Sequence, residues 1–135
     1  MNTLTAEQIQ ARASAGDPVA QIMLSRLFDQ QGRHGAAVAW LKAAADGGDI
    51  TAATVLGARL LVGRAAPFEP ARGAALIYGA AEKGGAEACG RAAVLNALGI
   101  GRAIDWQAAL DWLSRAAEKG DASARGQLAV LTEDA

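Results

Sequence analysis

An all-α fold, a right-handed solenoid of antiparallel helix pairs in an α-α superhelix, is what this sequence predicts, and three observations carry the prediction. The first is repetition. Ala80-Ala81-Glu82-Lys83-Gly84 has close copies in Ala44-Ala45-Asp46-Gly47-Gly48 and Ala116-Ala117-Glu118-Lys119-Gly120, so Gly48, Gly84 and Gly120 stand 36 residues apart. The same step carries Trp40 to Leu76 to Trp112, and Ala37 to Gly73 to Ala109. A period of this size marks stacked supersecondary units, none of which can bury its apolar face alone. The second is composition: the chain is 52% hydrophobic but only 4% aromatic, so its core is built from Ala, Leu, Val and Ile on closely approaching helices. The third is punctuation. Glycines and aspartates stop and restart the helical patterns at short intervals, and short connections make sequential helices antiparallel neighbours.

In chain order, Thr5 and Gln8 have the spacing of a capping box, so a helix starts near Ala6 and runs to about Ala15, with Ile9 and Ala13 on one face. Gly16 stops it, and Asp17-Pro18 restarts the chain with an N-cap and a proline at the first helical position, giving a helix to about Gln30. Gly32 and Gly35 break the pattern. Ala36 to Asp46 then forms the returning helix, which Gly47-Gly48 ends as a left-handed cap. Asp49 caps Ile50 to Val62, Gly63 ends that helix, and Pro67 and Pro70 hold a loop before the partner helix at about Ala71 to Lys83. Ala86 to Leu98 follows, then a loop with Gly99 and Gly101, a helix opened by Asp105 and reaching Lys119, and a last helix from Ala122 to about Leu131. One domain is expected over 1–135: a capping helix at 6–15, repeats at 16–47, 48–83 and 84–119, and a half repeat at 120–135. Alanines 44, 80 and 116, and Gly57, Ala93 and Ala129, belong where helices cross at short distance.

Several function classes are disfavoured by the residues present. Thirteen basic against fourteen acidic side chains, with no run of one sign, argue against non-specific attraction to nucleic acid or membrane. Cys89 is the single cysteine, which rules out an internal disulfide and fits a reducing compartment. The N-terminus has neither a basic nor an apolar leader segment, and no stretch has the length of a membrane span, so a soluble cytoplasmic protein is expected. His34 is the single histidine and is read as an exposed loop residue, and no histidine metal site can be completed within one chain. Gly99-Ile100-Gly101 follows a helix, not a strand, and lacks the rest of a phosphate-binding fingerprint. Glu69 and Asp105 fall in connecting segments. No catalytic residue, no metal site and no cofactor is expected.

The stretch from Asn96 to Gly120 holds Gly99-Ile100-Gly101, Asp105 opening a helix, Ala109, Trp112, and Ala116-Ala117-Glu118-Lys119-Gly120. It closely resembles the Sel1-like repeat, a relative of the tetratricopeptide repeat. Ala52, Leu56-Gly57, Leu60 and Gly63 match the first-helix signature of that family, as do Ala20, Leu24, Ser25 and Phe28, and the resemblance covers about Gly16 to Gly120. The first unit lacks the G-x-G loop, the second has Gly63-Arg64-Ala65 and prolines instead, and the third has Ala92 and Asn96 where leucine and an aromatic are usual. The resemblance implies a scaffold or adaptor for other proteins, common in bacteria, without chemistry of its own. The alternative it leaves open is an N-terminal regulatory or dimerisation module of a larger bacterial enzyme, for example one with an iron/2-oxoglutarate oxygenase domain.

In tetratricopeptide-type superhelices the ligand-facing residues come from the first helix of each unit. Carried over position by position, they are Met23, Arg26 and Asp29, then Thr54, Val55 and Ala58, then Glu87, Arg91 and Val94, and finally Gln127. Arg26 and Arg91 supply cations for a carboxylate or a backbone carbonyl, and Met23, Val55 and Val94 supply apolar contact. The last helix carries Leu128, Val130 and Leu131 with no second helix after it in this sequence, so a symmetric contact between two copies, or a neighbouring domain, is expected to cover it.

Overall fold

Turns set by single glycines punctuate the computed structural model, which describes residues 4–133 and contains eight helices and no strand among them. These are α1 (Ala6–Ser14), α2 (Pro18–Gln30), α3 (His34–Asp46), α4 (Ile50–Val62), α5 (Pro70–Glu82), α6 (Ala86–Leu98), α7 (Trp106–Glu118) and α8 (Ala122–Glu133). The outer ends of the expected 1–135 domain, residues 1–3 and 134–135, lie outside the described residues.

The helix starts follow from local chemistry. The Thr5 hydroxyl accepts from the Gln8 amide at 3.2 Å while the Gln8 side chain accepts from the Thr5 amide at 2.9 Å, the reciprocal pair of a capping box. Asp17, Asp49, Asp105 and Asp121 each accept a backbone amide of the first turn with Oδ1, at 2.8–3.0 Å for Val19, Ala52, Ala108 and Ala124. Each such cap contributes about 1 kcal/mol. The helix ends explain the Ala-Ala-x-x-Gly repeat. Gly48, Gly84 and Gly120 hold φ values of 97, 96 and 95°, and this left-handed turn lets the next amide donate back to the first alanine carbonyl: Asp49 to Ala44, Gly85 to Ala80 and Asp121 to Ala116, at 3.0–3.1 Å. Gly47 itself remains helical at φ −77°, so the left-handed residue of that pair is Gly48 alone.

Two starts differ from the sequence reading. Helix α3 begins at His34 and not Ala36, because one left-handed residue, Gly32, is enough to reverse the chain, and Gly35 sits inside the first turn. His34 is therefore a helix-start residue and not a loop residue. Helix α5 begins at Pro70, whose missing amide hydrogen costs nothing at that position. The loop between α4 and α5 keeps the shape of the loop between α6 and α7. Ala65 takes a left-handed φ of 54° where Gly101 takes 75°, at an expense for alanine of roughly 1–2 kcal/mol.

Each helix packs mainly on the helix before it and the helix after it, the one-dimensional order of an α-α superhelix of antiparallel pairs. Ala44, Ala80 and Ala116 are buried at the crossings, and Trp112 is buried with Leu113, Ile77 and Leu95 in the core between α5, α6 and α7. The tightest crossing joins α4 and α5. A Cβ on Gly73 would lie 2.6 Å from the Gly57 carbonyl oxygen and 2.9 Å from the Leu61 amide, so these helices meet backbone to backbone. Helices α2, α4, α6 and α8 form the first-helix row of the superhelix, and α3, α5 and α7 the second.

Candidate functional site

Two adjoining grooves open on the first-helix row. The larger, about 550 Å³, is walled by Asp29 of α2, His34 at the start of α3, Ala58 and Arg59 of α4, Arg64 in the following loop, and Arg91 of α6. The smaller, about 220 Å³, runs from α6 to α8 between Glu87, Gly90, Arg91, Val94, Asp121 and Gln127. Arg91 lies on both, so its side chain is the wall that they share.

An ion-pair cluster ties the first two rungs together. Arg59 Nη1 donates to Asp29 Oδ1 at 3.1 Å, Arg59 Nη2 donates to Oδ2, and His34 Nδ1 lies 2.8 Å from Oδ1. The Asp29 and Arg59 side chains are only 20% and 22% exposed, which makes this pair stronger than an ordinary surface bridge. The guanidinium hydrogen-bonded to both oxygens holds the Asp29 carboxyl below its ordinary range; burial opposes this, and the bond from His34 reinforces it. Arg91 donates from Nε and Nη2 to Glu87 Oε1 at 3.2 and 3.0 Å, in an exposed pair one helical turn apart.

Of the residues expected to face a partner, Asp29, Ala58 and Arg91 meet in the larger groove, and Glu87, Arg91, Val94 and Gln127 in the smaller. Met23 and Arg26 are exposed on α2 but line neither. Val55 is half-buried against the cluster of Leu41 and Leu56. Thr54 is a correction: it is 3% exposed and its hydroxyl donates to the Ile50 carbonyl at 2.8 Å. With its one polar group satisfied by its own helix, the threonine packs inward and presents nothing to a groove.

Sequence reasoning missed Arg59, Arg64 and the role of His34. One 36-residue step takes Arg59 to Leu95, a core position, so the repeat register marks Arg59 as interior. The long side chain instead reaches past the core to Asp29, a partner 30 residues away that no local pattern announces. Among the described residues no group of three or more His, Cys, Asp and Glu is placed to hold a metal ion, and no helix is long and apolar enough to cross a membrane. Cys89 is fully buried with Sγ 3.6 Å from the Ala81 carbonyl, and burial pushes its thiol pKa up.

A third, apolar hollow of about 130 Å³ lies at the C-terminal end, between Val94, Ala97, Trp106, Leu110 and Leu131. Trp106 and Leu131 are 66% and 60% exposed, whereas Leu95, one repeat before Leu131, is 4% exposed. The difference is coverage, since α7 packs on α6.

No protein-family model matches the chain, and no curated protein matches it in sequence. Among solved structures the chain is similar to a Sel1 repeat protein from Oxalobacter formigenes, with a TM-score of 0.83 and 29% identity over 90% of this chain and 95% of that one. It is similar at a TM-score of 0.80 and 29% identity to c5321, a protective antigen present in uropathogenic Escherichia coli strains that displays an SLR fold; the match takes in 87% of this chain but 26% of that protein. Cysteine rich protein B of Helicobacter pylori, at 15% identity, shares the fold, with a TM-score of 0.69 over 90% of this chain and 96% of the other. The 36-residue step, the recurring glycine turns, the stacked helix pairs and the likeness to these structures together support a Sel1-like repeat family for the chain.

Proposed function

We propose that the chain is a scaffold that binds a protein or peptide segment along the first-helix row, in the cytoplasm and without catalysis of its own. The observation that carries this reading is the pair of grooves meeting at Arg91, which together follow α2, α4, α6 and α8. An open channel on a rigid row of helices suits an extended or helical segment, and such recognition needs no cofactor. The binding set in the grooves is Asp29, Ala58, Arg59, Arg64, Glu87, Arg91, Val94 and Gln127, with Met23, Arg26 and Val55 outside them on the same row of helices. The units that present it are the repeats at 16–47, 48–83 and 84–119 and the half repeat at 120–135. Balanced charge over the whole chain speaks against nucleic acid and membrane as partners.

The test is occlusion. Ala58→Trp fills the larger groove, while Ala39→Trp places the same ring at an exposed position of α3. A partner that the parent and Ala39→Trp retain and Ala58→Trp loses supports the reading; equal retention by all three refutes it. A second reading concerns the exposed Trp106, Val130 and Leu131, which favour a contact between two copies through the C-terminal end. Light scattering of the parent and of Leu131→Glu decides it, a dimer lost in the variant being the expected outcome.

A further inference from the structure

We infer that the bound segment is acidic, with a carboxylate seated between Arg64 and Arg91 in the larger groove; this rests on the scaffold reading above. Three guanidinium groups, Arg59, Arg64 and Arg91, face a single carboxylate there, in a chain whose formal net charge is −1. Asp29 already accepts from Arg59 with both oxygens, so its charge is compensated inside the groove. Arg64 has no ion pair among the described residues, and the Glu87 that pairs with Arg91 is 67% exposed on a helix surface, where such a pair has little net strength and exchanges readily. Two cations are thus left for an incoming anion. A planar guanidinium offers a carboxylate two parallel hydrogen bonds, and the apolar floor of Ala58 and Val62 gives the segment's methylene groups a surface to cover.

The neighbouring groove sets a direction. Beyond Arg91 its charged groups are Glu87 and Asp121, so an acidic residue is repelled there and a neutral or basic one is accepted. The segment lies with its acidic end over α4 and its neutral or basic end toward α8.

The experiment uses the full chain and fluorescence anisotropy with labelled repeat peptides of Glu-Gly, Gln-Gly and Lys-Gly, and a single-stranded oligonucleotide of the same charge as the first. The Glu peptide binds, and the Gln and Lys versions bind at least about tenfold more weakly. The paired change Arg64→Ala with Arg91→Ala lowers affinity for the Glu peptide by about tenfold or more, Arg12→Ala on α1 leaves it within about twofold, and raised salt weakens it. Equal circular dichroism melts confirm that the variants remain folded. No binding of the Glu peptide, equal binding of the Glu and Gln peptides, or equal losses from Arg12→Ala and the groove pair overturns the inference. Tighter binding of the oligonucleotide through the same arginines overturns it in favour of a nucleic-acid site. Ala58→Trp separates the two levels: if it blocks peptides regardless of their charge, the acidic preference falls and the scaffold reading stands, and if it blocks none, both fall.

Discussion

Replacing Gly73 with alanine places a methyl group where α4 and α5 already touch. The new Cβ lies 2.6 Å from the Gly57 carbonyl oxygen and 2.9 Å from the Leu61 amide nitrogen, both backbone atoms that cannot rotate away. The helices must part by several tenths of an ångström, loosening the contacts of Leu56 and Ile77 on either side, and overpacking of this kind costs about 1–3 kcal/mol. Against it stands the gain of about 1 kcal/mol for alanine over glycine in a helix. Gly79, in the same helix, isolates that gain, because a Cβ there meets nothing within 4 Å. Gly79→Ala should therefore stabilise by about 1 kcal/mol. Gly73→Ala should lie below it by the overpacking cost, about 1–3 kcal/mol, which for a chain of this length separates the melting temperatures by roughly 3–15 °C. Urea titration followed by circular dichroism measures both. If Gly73→Ala stabilises the chain as much as Gly79→Ala does, the helices do not meet backbone to backbone and the argument fails.

The same position in two repeats gives a second prediction for the monomer at high dilution: Leu95→Ala costs about 2–5 kcal/mol, while Leu131→Ala changes stability by no more than about 0.5 kcal/mol, because in the single chain one is 4% and the other 60% exposed. Equal losses in chemical denaturation would show that something covers Leu131 in solution. Asp29→Asn should destabilise by about 1–2 kcal/mol at neutral pH, since it leaves the half-buried Arg59 without its counter-charge. The pKa of Asp29 is depressed by folding, so its contribution is fully present above the ordinary carboxylate value of 3.8 and disappears as pH falls through the lower folded value. The gap between parent and variant should accordingly be flat above that pH and close below it; a gap that closes on raising pH would contradict the assignment. Asn96 is 3% exposed with its Oδ1 unpaired, and the previous repeat has Leu60 there, so Asn96→Leu should stabilise by about 1–2 kcal/mol in the same titration.

The helices were legible because their signals are local. An Asp side chain that accepts an amide two or three residues on, and a glycine that turns left-handed at the helix end, act within one turn of chain, and Pro18–Gln30 and Ile50–Val62 come out as read. Where the local signal is missing the reading slips: Arg33 caps α3 with no side-chain hydrogen bond, and the start at His34 went unseen. The alanines at 44, 80 and 116 were legible as core because the repeat step brings the same small apolar residue back to one position of a helix face, and Trp112 because that step joins it to Trp40 and Leu76.

The groove is a different matter, because its members stand far apart in the chain, from Asp29 to Arg91. By itself the sequence determined the repeat, the helix pairs and the residues at their crossings, all consequences of hydrogen bonds within a turn and of a fixed apolar period. Only the tertiary structure decided that Thr54 turns inward, that Arg59 leaves a core register to grip Asp29, and that Arg91 stands between a basic groove and an acidic one. A helix face is set by rotation about its own axis, but which face borders a groove is set by how each pair stacks on the next, and that depends on side-chain volumes summed across helices.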